Sequence, residues 1–172
     1  CHFQLAVVLG CMDSRTGAEL IFDQGLGDIF SIRIAGNIVT DDILGSIEYA
    51  VAVAAVKLVL VLGHTSCGAI AGACSHVRLG NLTGMLEKIK PAIGDAVPEN
   101  GDRQAWMDRV ATANVCHSID AIIGRSPEVK RLMDAGEVGL AGAMYDVSSG
   151  AVEIMSVCEQ VRKAAPTAVP HQ

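Results

Sequence analysis

Aromatic residues are scarce in this chain: one Trp, two Tyr and three Phe in 172 positions. Its core must therefore be assembled from Val, Ile, Leu and Ala. Long apolar runs are missing as well. The longest, Tyr49 to Val56, is stopped by Lys57, whereas a membrane span needs about 20 consecutive apolar residues. No stretch has the charged, apolar and small-residue order of a signal peptide. Positive charge is also short: 13 basic against 19 acidic residues leave a net charge of −6. With no basic stripe and no interleaved aromatics, nucleic acid is excluded as the main partner. No C-x-x-C pair occurs, which argues against a closed structural zinc site.

What the chain does have is aliphatic bulk. It is 51% hydrophobic and only 19% charged, with a mean hydropathy of +0.40. That is rich for a soluble monomer, so part of the apolar surface is expected to be buried against another subunit. The length suits a single domain, residues 1–172, with a self-sufficient core. Six cysteines stand at positions 1, 11, 67, 74, 116 and 158. The chain is too long and too α/β in pattern for a small disulfide scaffold, so a reducing compartment is expected. Cys74, Cys116 and Cys158 then read as small buried hydrophobes.

"LAVVLG" (5–10) and "KLVLVLG" (57–63) are short, nearly all apolar and end in glycine. Such runs predict strands buried on both faces of a parallel sheet. "DIFSIRIAGN" (28–37) is a third candidate strand, and 137–157 reads as an antiparallel edge hairpin around "SSG". Between them lie helical patterns. "TGAELIFDQG" offers Thr16 as N-cap with Glu19 three residues on. "DDILGSIEYAVAVAAV" is apolar nearly all round and predicts a buried helix. Residues 106–136 read as two helices broken at "RSP", because Pro127 resists continuation. "VPENGD" (97–102) is a loop. The alternation predicts a three-layer α/β fold with a mostly parallel central sheet.

Ligands in open α/β sheets bind beyond the carboxyl ends of the strands. Two such ends carry reactive residues here: Cys11, Asp13 and Arg15 after the first strand, His64 and Cys67 after the second. Two thiols and an imidazole form a zinc set, and three donors leave one position open, as in catalytic sites. On spacing alone, H-x-x-C equally fits a helix start with a satisfied histidine and an inert thiol. Two clusters at two strand ends, with an acid and an arginine between them, favour the metal. A cysteine nucleophile with His64 as base is the main rival, but it leaves the second cysteine without a task. "GHTSCGA" has the glycine frame of a phosphate loop with Ala69 where the lysine belongs, and "GLGDIF" precedes a strand instead of following one.

"CMDSR" followed by "HTSCG" resembles the signature of the β-class carbonic anhydrases, C-x-D-x-R and then H-x-x-C. The resemblance extends through "RIAGNIV" (33–39), "SIEYA" (46–50), "RSPEVKRLMDAGEV" (125–138) and "GAMYDVSSGAVEIM" (142–155), and looks closest to the bacterial branch. It implies the β-carbonic anhydrase fold and Zn2+ held by Cys11, His64 and Cys67. Asp13 and Arg15 would form the acid–arginine pair beside the open position. Phe30 and Tyr49 fall at aromatic positions that line the substrate pocket across a dimer interface; ordinary core packing is the alternative for both. The implied reaction is reversible hydration of carbon dioxide to bicarbonate and a proton by a cytoplasmic dimer or multiple of dimers. Hydrolysis of carbon disulfide or carbonyl sulfide, or a weakly catalytic bicarbonate-sensing domain, would use the same scaffold. The branch includes cytoplasmic domains that follow sulfate-type transporters. The family's N-terminal helical arm has no counterpart, and where its pocket glutamine stands a gap-free count places His2, with Gln4 nearby.

Two thiolates cancel the formal charge of the ion, so its bound water is expected to be less acidic than the pKa of about 7 found with three imidazoles. Activity should then rise toward alkaline pH. Alternate positions of an extended segment point the same way, so one strand end delivers ligand, acid and arginine together. Ionised Asp13 would orient the water, Arg15 would hold Asp13, and backbone N–H groups near Gly68 would steady developing negative charge. If released, Asp13 could swing onto zinc as a fourth ligand, a closed state the family also shows.

Overall fold

The computed structural model describes residues 4–94 and 101–155. Apolar residues without breaks give the central strands: β1 (Ala6–Gly10), buried at every position, and β3 (Leu58–His64), buried after its first residue. β2 (Ile29–Arg33) and β4 (Gly139–Tyr145) flank them, and β5 (Val152–Ile154) closes one edge. The order is β2-β1-β3-β4-β5, with only the β4–β5 pair antiparallel. The mostly parallel sheet with an edge hairpin is therefore present as expected.

Register does the positioning. Gly10 pairs with Leu62 across β1 and β3, and His64 pairs with Tyr145 across β3 and β4. Cys11, the residue after β1, is thus carried to the side of the last residues of β3. One face of the sheet, with Val7, Leu9, Val59 and Val61, packs against α2 (Asp41–Glu48), α6 (Arg103–Arg125) and α7 (Pro127–Asp134). Val8, Leu60, Leu62 and Ala143 face the other way, against Ala18 and Ile21 of α1 (Ala18–Ile21) and the following Phe22. The small helices α3 (Gly68–Cys74), α4 (Gly80–Leu86) and α5 (Lys90–Ile93) build a second cluster with α6 around Trp106. α4 and α5 had no counterpart in the sequence pattern.

Helix ends follow local chemistry. Asp102 accepts from the N–H groups of Gln104 and Ala105 to start α6, three residues earlier than expected. Ser126 accepts from Val129 N–H and, with Pro127 at the first position, starts α7. Such caps are worth about 1 kcal/mol each, and the predicted break at "RSP" is where the chain turns.

Several expectations are corrected. α1 is one turn long, and its cap is Gly17, not Thr16. The third strand stops at Arg33, and Ala35–Asn37 form a 3-10 turn. The helix expected over 41–56 ends its regular part at Glu48 and continues as a wide π turn, Tyr49–Val53. It is not buried all round: Tyr49 is 57% and Val53 70% exposed, because the face that joins the core is the one with Ile43, Leu44, Ile47, Ala50 and Val51. Cys74 is a buried free thiol as expected, whereas Cys116 is disulfide-bonded. Cys1 and Cys158 lie outside the described residues, as does most of the 97–102 loop. No described helix is long and apolar enough to cross a membrane.

α6 reaches the sheet by lying over glycine. A Cβ on Gly63 would stand 2.5 Å from Val115 Cγ2 and 2.6 Å from Met144 Sδ. Gly63→Ala should overpack this contact and cost about 1–3 kcal/mol. Gly124→Ala, on an exposed helical site with nothing within 4 Å, should add up to about 1 kcal/mol. Urea midpoints of the two variants moving in opposite directions would check the pair.

Candidate metal centre

Cys11, His64 and Cys67 come together beyond the carboxyl ends of β1 and β3, with their donor atoms all within 4.8 Å of one another and all three residues buried. The two sulfurs lie 3.9 Å apart. His64, 1% exposed, sets its Nδ1 at 2.9 Å from the Thr65 carbonyl oxygen. That contact fixes Nδ1 as the N–H donor and leaves the lone pair on Nε2. Nε2 is buried with no hydrogen-bond partner. A buried acceptor without a donor is costly, unless a cation takes the lone pair. Two soft sulfurs and one such nitrogen fit a zinc-type ion with a vacant fourth position.

The same atoms interact strongly without a metal. The Cys67 thiol donating to the Cys11 sulfur pulls Cys11 down, against burial, with help from His64 and the Gly36 N–H at 3.4 Å. Cys67 is pushed up by its hydrogen bond to Cys11, by burial and by the negative charge there, although the Ile70 and Ala69 amides favour its thiolate. Burial disfavours the charged form of His64, but the neighbouring Cys11 outweighs it and raises the pKa.

Gly68 opens α3 directly after the donor Cys67, so its N–H lies at the helix start as expected. Asp13 and Arg15 stand at the rim. Arg15 grips the carboxylate twice, Nε to Oδ1 at 2.9 Å and Nη2 to Oδ2 at 2.7 Å, and its own backbone N–H adds a bond to Oδ1 at 3.0 Å. The guanidinium beside Asp13 holds its carboxyl well below the usual carboxylate range.

Other contacts at this site left no short-range mark in the sequence. Thr16, the discarded cap, is 2% exposed and donates its hydroxyl to the Cys11 and Asp13 carbonyls at 3.1 and 2.9 Å. Arg33 donates to the same two carbonyls from β2. Gly36 at φ +69° brings its N–H onto Cys11; a Cβ there would meet Ile89 Cδ1 at 2.7 Å. Asn114 and Ser118, one turn apart on α6, donate to the Gly36 and Asn37 carbonyls at 2.7 and 2.9 Å. Only the tertiary arrangement of strands, turn and α6 links such distant positions; the "RIAGN" string was the available hint for Arg33 and Gly36.

Phe30 and Tyr49 pair edge to face, with centroids 6.3 Å apart. They line an open hollow of about 650 Å³ with Ile32, Asp42 and Ser46. None of the metal donors borders that hollow, so one chain does not bring the aromatic pair to the Cys–His–Cys cluster.

Fold and site together define an α/β protein with a Cys–His–Cys cluster, able to hold a transition-metal ion, at the tips of parallel strands. The carbonic anhydrase family profile matches residues 6–152. Carbonic anhydrase 2 of Mycobacterium tuberculosis is 37% identical over 150 residues, covering 84% of this chain and 71% of that protein. The carbonic anhydrase of Mycolicibacterium smegmatis is 38% identical over 159 residues, with 88% and 74% covered. Among solved structures, a tetrameric β-carbonic anhydrase of Sordaria macrospora superposes with a TM-score of 0.84 at 28% identity, covering 91% of this chain and 82% of that one. The chain belongs to the β-class carbonic anhydrase family.

Elemental analysis of the purified protein should find about one zinc per chain, and Cys67→Ser should lose most of it. Full zinc retention by that variant would remove Cys67 from the donor set.

Proposed function

We propose that the protein is a zinc-dependent carbonic anhydrase that interconverts carbon dioxide and bicarbonate, with zinc held by Cys11, His64 and Cys67. One observation carries the proposal: a buried imidazole nitrogen with no partner faces two thiols beside a locked carboxylate–arginine pair. When bound, zinc supplies the Lewis acidity that makes a water molecule nucleophilic near neutral pH.

The chain's own groups do the aiming. Asp13 stays ionised through the neutral range, so its oxygens can only accept hydrogen bonds. It therefore accepts the proton-bearing side of the attacking water and leaves the lone pair directed at the carbon of carbon dioxide. Arg15 cannot lose its proton and grips both carboxylate oxygens, which fixes the carboxylate relative to the guanidinium. With the Ala69 and Ile70 amides facing the Cys67 sulfur, the Gly68 N–H at the start of α3 is left to steady the substrate oxygen that becomes negative.

The Phe30–Tyr49 pair, with Tyr49 exposed and Phe30 half-buried against the core, supports a dimer. β2 is one of the two outer strands of the sheet, and an aromatic hollow beside it, with Tyr49 exposed, suits the same face of a second copy. In that arrangement the pair would complete the partner's pocket.

Stopped-flow hydration assays on zinc-analysed protein test the reading. Because Asp13 is already ionised, the rise of kcat/KM from pH 6 toward pH 9 should belong to the nucleophilic water. Asp13→Ala should lose about 10²-fold or more while keeping its zinc. A zinc-replete wild type with no hydration activity would overturn the proposal.

A further inference from the structure

Ser66, between the donors His64 and Cys67, has a φ of 54°, a left-handed conformation that non-glycine residues adopt at a cost. It is held there from both sides. Its N–H donates to Asp108 Oδ1 at 2.8 Å, and its carbonyl accepts from Arg15 Nη2 at 3.3 Å. Asp108 sits in the second turn of α6, where Gln104 Nε2, one turn earlier, donates to the same Oδ1 at 3.0 Å and fixes the carboxylate. α6 itself is anchored by Val110, Ala111 and Val115, all buried. A continuous line of contacts thus runs from the helix packed across the sheet through Asp108, Ser66 and Arg15 to Asp13.

Arg15 needs such an anchor. Its side chain is 50% exposed, and an exposed ion pair between residues two apart restrains its own position weakly. Asp13 and Arg15 could swing together without breaking a bond to each other. The Ser66 carbonyl ties the guanidinium to a different part of the chain, and it points correctly only while Ser66 keeps its strained conformation.

We infer that Asp108 is a positioning residue: by holding the Ser66 N–H it sets the carbonyl that orients Arg15, and through Arg15 it aims the Asp13 carboxylate. The inference rests on the carbonic anhydrase reading above. Asp108 has no contact with the metal donors' side chains, so its loss should leave zinc in place and move only the aim, where an error of about 1 Å can cost about 10²-fold.

Zinc-loaded full chains carrying Asp108→Ala and Asp108→Asn make the test. Asp108→Ala should keep about one zinc per chain and an unchanged KM while kcat falls about tenfold or more. Asp108→Asn retains a carbonyl acceptor for Ser66 N–H and should lose less than about threefold. In an Arg15→Ala background, Asp108→Ala should add less than about twofold, because its effect passes through Arg15. Independently of activity, the Arg15 Nε–H resonance, assigned by its absence in Arg15→Ala, should shift or broaden in Asp108→Ala and not in Asp108→Asn. If the alanine chain does not fold, Asp108→Ser, whose hydroxyl stops short of Ser66, replaces it. Wild-type kcat in Asp108→Ala, equal losses in the alanine and asparagine variants, or an undiminished loss in the Arg15→Ala background would each overturn the inference. An inactive wild type would sink the carbonic anhydrase reading, while the Arg15 resonance would still decide whether Asp108 orients it.

Discussion

The site depends on the register between two parallel strands. Gly10 beside Leu62 places the first residue after β1 level with the last residues of β3, and no local feature of either segment could do this. A slip of one residue would turn every side chain of a strand to the opposite face. Both strands are buried on both faces by close-fitting aliphatic residues, so the slip has no cheap form. The poverty in aromatic rings serves this arrangement: Val and Ile pack densely on a pleated surface, and Gly63 and Gly142 let α6 come down onto it. Gly142 allows the approach for the same reason as Gly63, since a Cβ there would meet Val115 Cγ1 at 2.8 Å.

Around that junction the backbone is held as carefully as the side chains. The segment 11–16 leaves β1 with carbonyls that no strand partner can satisfy, and Thr16 and Arg33 supply the missing donors. The 35–37 turn faces the same problem and is met by Asn114 and Ser118 from α6. Buried backbone groups must find partners, and three of these partners also hold the surroundings of Cys11: Thr16 and Arg33 on the strand end, Asn114 behind the glycine whose N–H touches the Cys11 sulfur. Solving the hydrogen-bonding problem of two irregular loops and orienting the metal donors are one task.

The legible part of this protein was what short-range pattern encodes. Apolar runs ending in glycine marked β1 and β3, Pro127 marked the α6–α7 break, and Cys11, Asp13, Arg15, His64 and Cys67 announced themselves by residue type at two strand ends. The illegible part was long-range. Thr16 has the spacing of a helix cap, yet the pull of two unpaired carbonyls turned its hydroxyl back toward the strand. The 41–56 segment looks wholly buried because its residues are apolar, and pattern cannot tell a helix covered on all sides from one whose second face is left bare. Asp108 and Asn114 sit on a helix with ordinary periodicity, and their partners are set by how α6 crosses the sheet.

That bare face bears on the charge balance of the proposed reaction. Two thiolates would offset a divalent ion, Asp13 offsets Arg15, and Arg33 and Asp108 behind them are of opposite sign, so the proposed constellation has no net charge. A neutral pocket neither repels nor traps carbon dioxide, and it does not hold an anionic product by strong attraction. What a neutral small molecule requires is apolar contact, and the groups linked beside the cluster, Asp13, Arg15 and the Ser66 carbonyl, are polar. Among the described residues, Phe30 on the edge strand β2 and the exposed Tyr49 form an aromatic pair, and the hollow they line is bordered by none of Cys11, His64 and Cys67. A polar rim at the cluster and an aromatic hollow away from it are what the proposed dimer would bring together, and the mean hydropathy of +0.40 suits a chain with apolar surface to cover.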